Sequence, residues 1–154
     1  MSAVNPMPDR YPGVSPYLIV EDPEEAIAFY QRAFGAAETM RLTGADGRVM
    51  HAELRISGAT VMLSGPWPDM GYRTPKQIGG AGVSLCVFVP DVDALAAQAQ
   101  AAGAEVLQPL ETKFYGDRAI TLRDPSGHVW AFMTHVEDVP DDEMQERARK
   151  AMGG

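Results

Sequence analysis

Cysteine is almost missing from this chain: Cys86 stands alone among 154 residues. That excludes an intrachain disulfide and any CxxC metal or redox pair. Its setting, the apolar run Ser84 to Val89, suits an inert buried thiol better than a nucleophile. Basic charge is also short, with 13 Lys and Arg against 21 Asp and Glu and a net charge of -8. No basic stripe offers itself to a phosphate backbone, so a nucleic-acid partner is not expected. No apolar run approaches the roughly 20 residues that span a bilayer, and no basic segment followed by an apolar core opens the chain. A cytoplasmic protein without a membrane partner is the expectation. The chain also has no Gly-rich phosphate loop, no GxSxG elbow and no HExxH, which leaves nucleophilic serine chemistry without support. Histidine is limited to His51, His128 and His135, at unrelated spacings.

What remains is the composition of an ordinary globular chain, 45% hydrophobic and 22% charged, of a length for one domain or two small modules. Met1 to Gly13 carries three prolines and reads as a loose arm. Val14 to Val20 is β-prone and stops at Glu21-Asp22-Pro23. There Asp22 suits an N-cap, Pro23 the first helical position and Glu25 the capping-box partner. Ile27, Tyr30, Ala33 and Phe34 then fall at helical spacing, and Gly35 stops the helix. Glu38 to Leu42 and Arg48 to Ile56 read as strands around an Ala45-Asp46-Gly47 turn, and Ser57-Gly58 turns into Thr60 to Leu63. In Arg48 to Ile56 apolar Met50, Ala52, Leu54 and Ile56 alternate with His51, Glu53 and Arg55.

The pattern then restarts. Gly65 to Gly80, with three prolines and four glycines, reads as a connector or mobile loop. Val83 to Val89 is a strand and Asp91 opens a helix that Gly103 ends. Glu105 to Leu107 is a short strand, and Ala119 to Leu122 turns through Asp124-Pro125-Ser126-Gly127 into Val129 to Met133. An offset of 69 residues superposes Ser15 on Ser84, Val20 on Val89, Asp22 on Asp91, Gly47 on Gly116, Ser57 on Ser126 and Gly58 on Gly127. These are strand starts, helix caps and turns, so the chain reads as a duplicated βαβββ module. The organisation is an arm (1–13), module one (14–65), an inter-module loop (66–81), module two (82–135) and an acidic C-terminal helix and tail (136–154). The class is α+β.

YLIVEDPEEAIAFYQRAFG in module one, VPDVDALAAQAQAAGAEV in module two and the closing DPSGHVWAF resemble the vicinal oxygen chelate superfamily. This is the glyoxalase, bleomycin-resistance and extradiol-dioxygenase group. The resemblance spans Val14 to Thr134 and implies a curled eight-stranded sheet around a cavity, and a homodimer. Metal-dependent members place four ligands on the first and fourth strands of both modules. By the resemblance those positions fall at Ser15, Met62, Ser84 and Ala131. A hydroxyl, a thioether and a methyl cannot supply the imidazole, carboxylate or thiolate donors that a divalent ion needs. No cofactor is therefore expected, and a displaced divalent metal is the alternative.

Other residues can still carry chemistry. His51 and Glu53, two apart on one strand, point the same way, so the carboxylate can orient the imidazole as a general base. The bland alternative is a polar pair without turnover. Tyr115 could stack on a planar ligand and Arg118 could hold an anionic group, unless Arg118 pairs internally with Asp117 or a module-one carboxylate. Tyr17, Cys86, Val129 and Met133 share parity with the ligand positions and would line an apolar pocket. Trp130 and Phe132 belong to the core. Trp67, Met70, Tyr72 and Arg73 make the loop a candidate lid or interface element. The expected ligand-binding set is Ser15, Tyr17, His51, Glu53, Met62, Ser84, Cys86, Tyr115, Arg118 and Ala131. The expected function is metal-independent binding of a small organic molecule, with a superfamily lyase, isomerase or dioxygenase-like enzyme using His51 and Glu53 as the alternative.

Overall fold

The computed structural model describes residues 4–153. The first three residues of the expected arm, and Gly154 of the expected tail, lie outside them. The chain divides into two compact units, Met1–Gly80 and Ala81–Gly154.

Each unit carries a four-stranded sheet. In the first, β1 (Tyr17–Ile19), β2 (Ala37–Thr43), β3 (Val49–Ile56) and β4 (Ala59–Ser64) stand in the order β1-β4-β3-β2. β1 runs parallel to β4, and the other neighbours are antiparallel. A parallel pair needs a crossover, which α1 (Pro23–Phe34) begins. The Asp22 carboxylate accepts from the amides of Glu24 and Glu25, Pro23 fits the first turn, and Gly35 closes the helix at φ 65°. α1 buries Ile27 together with Phe29, Tyr30 and Phe34, and these three rings stack or meet edge-on at 5.6–5.7 Å. Beneath it lie Leu18, Ala52, Leu54, Ile56, Val61 and Leu63, all buried. Each such aliphatic side chain contributes about 1.5–3 kcal/mol by leaving water.

The second unit repeats the plan. β5 (Ser84–Phe88), β6 (Glu105–Thr112), β7 (Asp117–Arg123) and β8 (Val129–His135) stand in the order β5-β8-β7-β6, with α3 (Val92–Ala101) as crossover from its Asp91 cap. Trp130 and Phe132, stacked at 6.0 Å, are its largest core rings. The α+β fold of paired βαβββ modules is thus the one adopted, with the strands in two four-stranded sheets rather than one hydrogen-bonded sheet of eight. β6 runs to Thr112, beyond the expected Leu107, because an edge strand with register shifts tolerates Pro109. α4 (Asp141–Met152) buries no residue; its Arg147 bonds Glu137, Glu143 and the Phe114 carbonyl.

Two segments are more ordered than their composition suggests. The loop after β4 forms a 3-10 turn (Pro68–Met70) and α2 (Pro75–Ile78), which a Thr74–Gln77 capping box opens, while Trp67 pairs with Tyr72. In the arm, the Thr60 hydroxyl donates to the Arg10 carbonyl and Tyr11 reaches β3.

The repeat is in register at the first and fourth strands of each unit. Tyr17 lies abreast of Met62 and Cys86 abreast of Ala131, both at the 69-residue offset. The third strands differ. The β3–β4 hairpin turns on Ser57-Gly58 alone, both at positive φ, whereas the β7–β8 turn runs from Asp124 to His128. Glu53 is paired with Met62, but Thr121, not Leu122, is paired with Ala131. The counterparts of His51 and Glu53 are therefore Ala119 and Thr121, and the second unit carries no such pair.

Candidate functional site

β3 carries the strongest constellation. Alternation sends Ala52, Leu54 and Ile56 under α1 and leaves His51 and Glu53 on the opposite, open face. Glu53 is 4% exposed although it belongs to the polar half of the strand. Its Oε1 accepts from the Tyr11 hydroxyl at 2.8 Å and meets His51 Nε2 at 3.3 Å. His51 Nδ1 lies 3.0 Å from the Tyr17 hydroxyl. If that hydroxyl donates to Nδ1, then Nε2 carries the proton toward Glu53, and the neutral imidazole is satisfied on both sides. The Tyr11 hydroxyl is held above the usual tyrosine range, first by its bond to the Glu53 carboxylate and then by burial. Tyr17 tilts against His51 at 5.5 Å and against Tyr72 at 6.1 Å. Met62, abreast of both Tyr17 and Glu53, completes the face.

The remaining expected site residues are placed as follows. Ser15 precedes β1, half-buried, and Tyr17 rather than Ser15 stands abreast of Met62. In the second unit Cys86, not Ser84, stands abreast of Ala131. The Cys86 thiol is exposed, which corrects the expectation of a buried one, because β5 turns Leu85 and Val87 toward the Trp130 and Phe132 side. Tyr115 lies in the β6–β7 connection, edge-on to Phe114 at 5.2 Å. Arg118 is committed internally: its guanidinium forms a two-pronged pair with Asp93 of α3 at 2.8 Å. Neither Asp117 nor a module-one carboxylate is its partner, because Arg118 shares parity with Ile120 and Leu122 on the α3 side of β7. The pair holds the Asp93 carboxyl below its usual range and raises Arg118. Asp117 instead meets His135 Nδ1 at 2.8 Å, and Asp138 meets its Nε2 at 2.7 Å.

A separate open cleft of about 870 Å³ in the first unit is lined by Glu21, Asp22, Glu24, Asp46, Met50 and Trp67 among others, and does not include His51 or Glu53. Its carboxylates have partners within the chain: Asp22 caps α1, Glu21 pairs with Lys76, Glu24 with Arg41 and Asp46 with Arg48.

A model of the Glyoxalase/Bleomycin resistance protein/Dioxygenase superfamily matches residues 13–132. The chain belongs to that superfamily. A Mycobacterium tuberculosis protein, Rv0887c, is 44% identical over 137 residues, covering 87% of this chain and 81% of its own length. Among solved structures, TioX from Micromonospora sp. ML1 is 32% identical with a TM-score of 0.63, over 80% of this chain and all of that one. The fosfomycin resistance protein FosX from Listeria monocytogenes shares the fold at 19% identity and a TM-score of 0.60, over 85% of this chain and 95% of its own.

The superfamily's metal-dependent members need donors on the first and fourth strands. Here the abreast pairs are Tyr17 with Met62 and Cys86 with Ala131, a phenol, a thioether, a thiol and a methyl. That is no ligand set for a divalent ion. Among the described residues no group of three or more His, Cys, Asp or Glu gathers that could hold one. Of the residues at the β3 face, the sequence analysis did not single out Tyr11, and it named Tyr72 only as part of a candidate lid or interface element. The only sequence signal for either is an aromatic residue in a proline-rich segment, since both contacts arise from chain reversals that composition does not specify.

Proposed function

We propose that the open face of the first unit's sheet binds a small organic molecule without a resident metal. The observation that carries this reading is the run Tyr11–Glu53–His51–Tyr17, a buried carboxylate and an imidazole fixed beside exposed aromatic rings. Both nitrogens of His51 have partners within this face, so neither is left free for a ligand. Few, well-placed polar groups within an apolar and aromatic surround are the make-up of a recognition site. The superfamily also implies a homodimer, so light scattering should give twice the 16.6 kDa chain mass.

A second reading has one observation in its favour. Glu53, His51 and Tyr17 are linked in series, the arrangement by which a carboxylate-oriented imidazole takes a proton from a hydroxyl. On this reading the protein is a lyase, isomerase or dioxygenase-like member in which Tyr17 meets the substrate.

The test is a thermal-shift screen of small organics on chelator-treated full-length protein, with metal analysis after gel filtration. Ligands that raise Tm without added metal, weakened by Tyr17→Phe and His51→Ala, are the expected result. Near-stoichiometric metal that is lost in His51→Ala would overturn it. Turnover in glyoxalase, epimerase or dioxygenase assays, abolished by the same variants, would establish the second reading.

A further inference from the structure

The two oxygens of Glu53 are not used alike. The side chain is 5% exposed, yet both of its hydrogen bonds, from Tyr11 and His51, end on Oε1. Among the described residues no buried side-chain oxygen or nitrogen lacks a partner. Oε2, which accepts no bond among the described residues, is therefore not fully buried. Among the described residues no Lys or Arg stands within ion-pair distance of this carboxylate, and the His51 ring is the one basic group that does. Nearby guanidiniums are occupied elsewhere: Arg55 bonds the Gly58 carbonyl, Arg10 lies 4.8 Å over the Tyr11 ring, and Arg41 pairs with Glu24 and Glu38. A carboxylate so nearly dehydrated, with one oxygen open, gains most from a charged N–H donor. Tyr17, joined to Glu53 through His51, and Tyr72 are 44% and 41% exposed, with ring centroids 6.1 Å apart. Their electron-rich faces favour a cation or a flat ring.

We propose that this face selects a planar organic cation, such as an amidinium or a protonated aromatic amine, whose N–H donates to Glu53 Oε2 while its ring lies against Tyr17 and Tyr72. The proposal rests on the ligand-binding reading above and adds charge and shape to it. Oε2 supplies the charge selection, and the tyrosines supply a sequence-tolerant platform for the flat part of the ligand.

The experiment is chemical-shift titration of the labelled full-length protein with benzamidinium, neutral benzamide and benzoate, the three sharing one ring. Benzamidinium should move the resonances of Tyr17, His51, Glu53 and Tyr72 and bind about ten-fold more tightly than benzamide, with benzoate weakest, as expected for one added charge-assisted bond. Glu53→Gln should abolish the preference for benzamidinium, whereas Tyr11→Phe, which keeps the carboxylate, should retain it. Tyr72→Leu, at an exposed ring, should weaken benzamidinium and benzamide together. Equal affinities in the wild type, a preference that survives Glu53→Gln, or shifts confined to the Glu21–Asp46 cleft would overturn the proposal. Benzamide that moves the same β3 resonances as tightly as benzamidinium, or more tightly, would leave the ligand-binding reading standing and sink only the cation. If no compound moves them, both fail.

Discussion

Glu53 and Asp124 are both buried carboxylates, and they do different work. Asp124 Oδ1 accepts from the amides of Ser126 and His128, and its Oδ2 accepts from Trp130 Nε1 at 3.0 Å. It thereby anchors a turn to the core beneath it. Replacing Trp130 by Phe keeps most of the ring volume and removes that one charge-assisted bond. Urea unfolding should show a loss of about 1.5–3 kcal/mol, and a change inside experimental error would mean the bond is not formed in solution. Glu53 ties down no turn; it holds His51 and Tyr11 at an open face. Both carboxylates were visible in the chain, but only Asp124 announced its role, through the Asp-Pro-Ser-Gly pattern around it.

At the scale of elements, the repeat makes a sharp comparison. Gly47 and Gly116 are equivalent turn glycines, at φ 81° and 95°. Around Gly47 an added Cβ meets nothing, whereas at Gly116 it would stand 2.1 Å from the Glu137 carbonyl oxygen. The segment after β8 crosses this turn, and the amides of Val136 and Glu137 both donate to the Gly116 carbonyl. Gly47→Ala should cost only the left-handed backbone penalty, about 1–2 kcal/mol. Gly116→Ala should cost clearly more, and equal denaturation midpoints for the two variants would refute the close crossing. The helix caps were more legible: Asp22 and Asp91 sit where a capping carboxylate is needed, and each accepts a first-turn amide. Asp91→Ala should lower stability by about 0.5–2 kcal/mol in the same assay. Strand lengths and the loop after β4 were less legible, since bulges, edge placement and a single capping box decide them.

At the scale of the whole molecule, the net charge of -8 is answered at particular places rather than smeared out. Two carboxylates close on His135, and they raise its affinity for a proton, Asp117 first and Asp138 second. A histidine whose folded value is raised stabilises the fold fully below its unfolded value of about 6.5, and the contribution fades as pH rises through the folded value. Wild type should therefore exceed His135→Gln in stability at about pH 5.5 and converge with it toward about pH 9. A difference that grows with pH instead would mean the imidazole is neutral in the folded chain. Arg147 fastens the same segment through Glu137 and is charged across that range, so α4 should stay attached while the histidine titrates.

The sequence by itself determined the module, its duplication and its family, because caps, turn glycines and two-residue alternation are local signals read over a few residues. It also placed His51 and Glu53 on one side of one strand. Only the tertiary structure decided what those residues meet. Tyr11 crosses from the arm to bury Glu53, Tyr72 returns from the loop to face Tyr17, and Arg118 turns to Asp93 rather than to a ligand. It likewise decided that the second unit has no equivalent pair, because the longer turn from Asp124 to His128 shifts the β7–β8 pairing by one residue and brings Thr121 where Glu53 would stand. Register has a period of two, so a single residue in a turn exchanges one face of a strand for the other. Contacts between segments distant in the chain carry no local pattern from which they could be read.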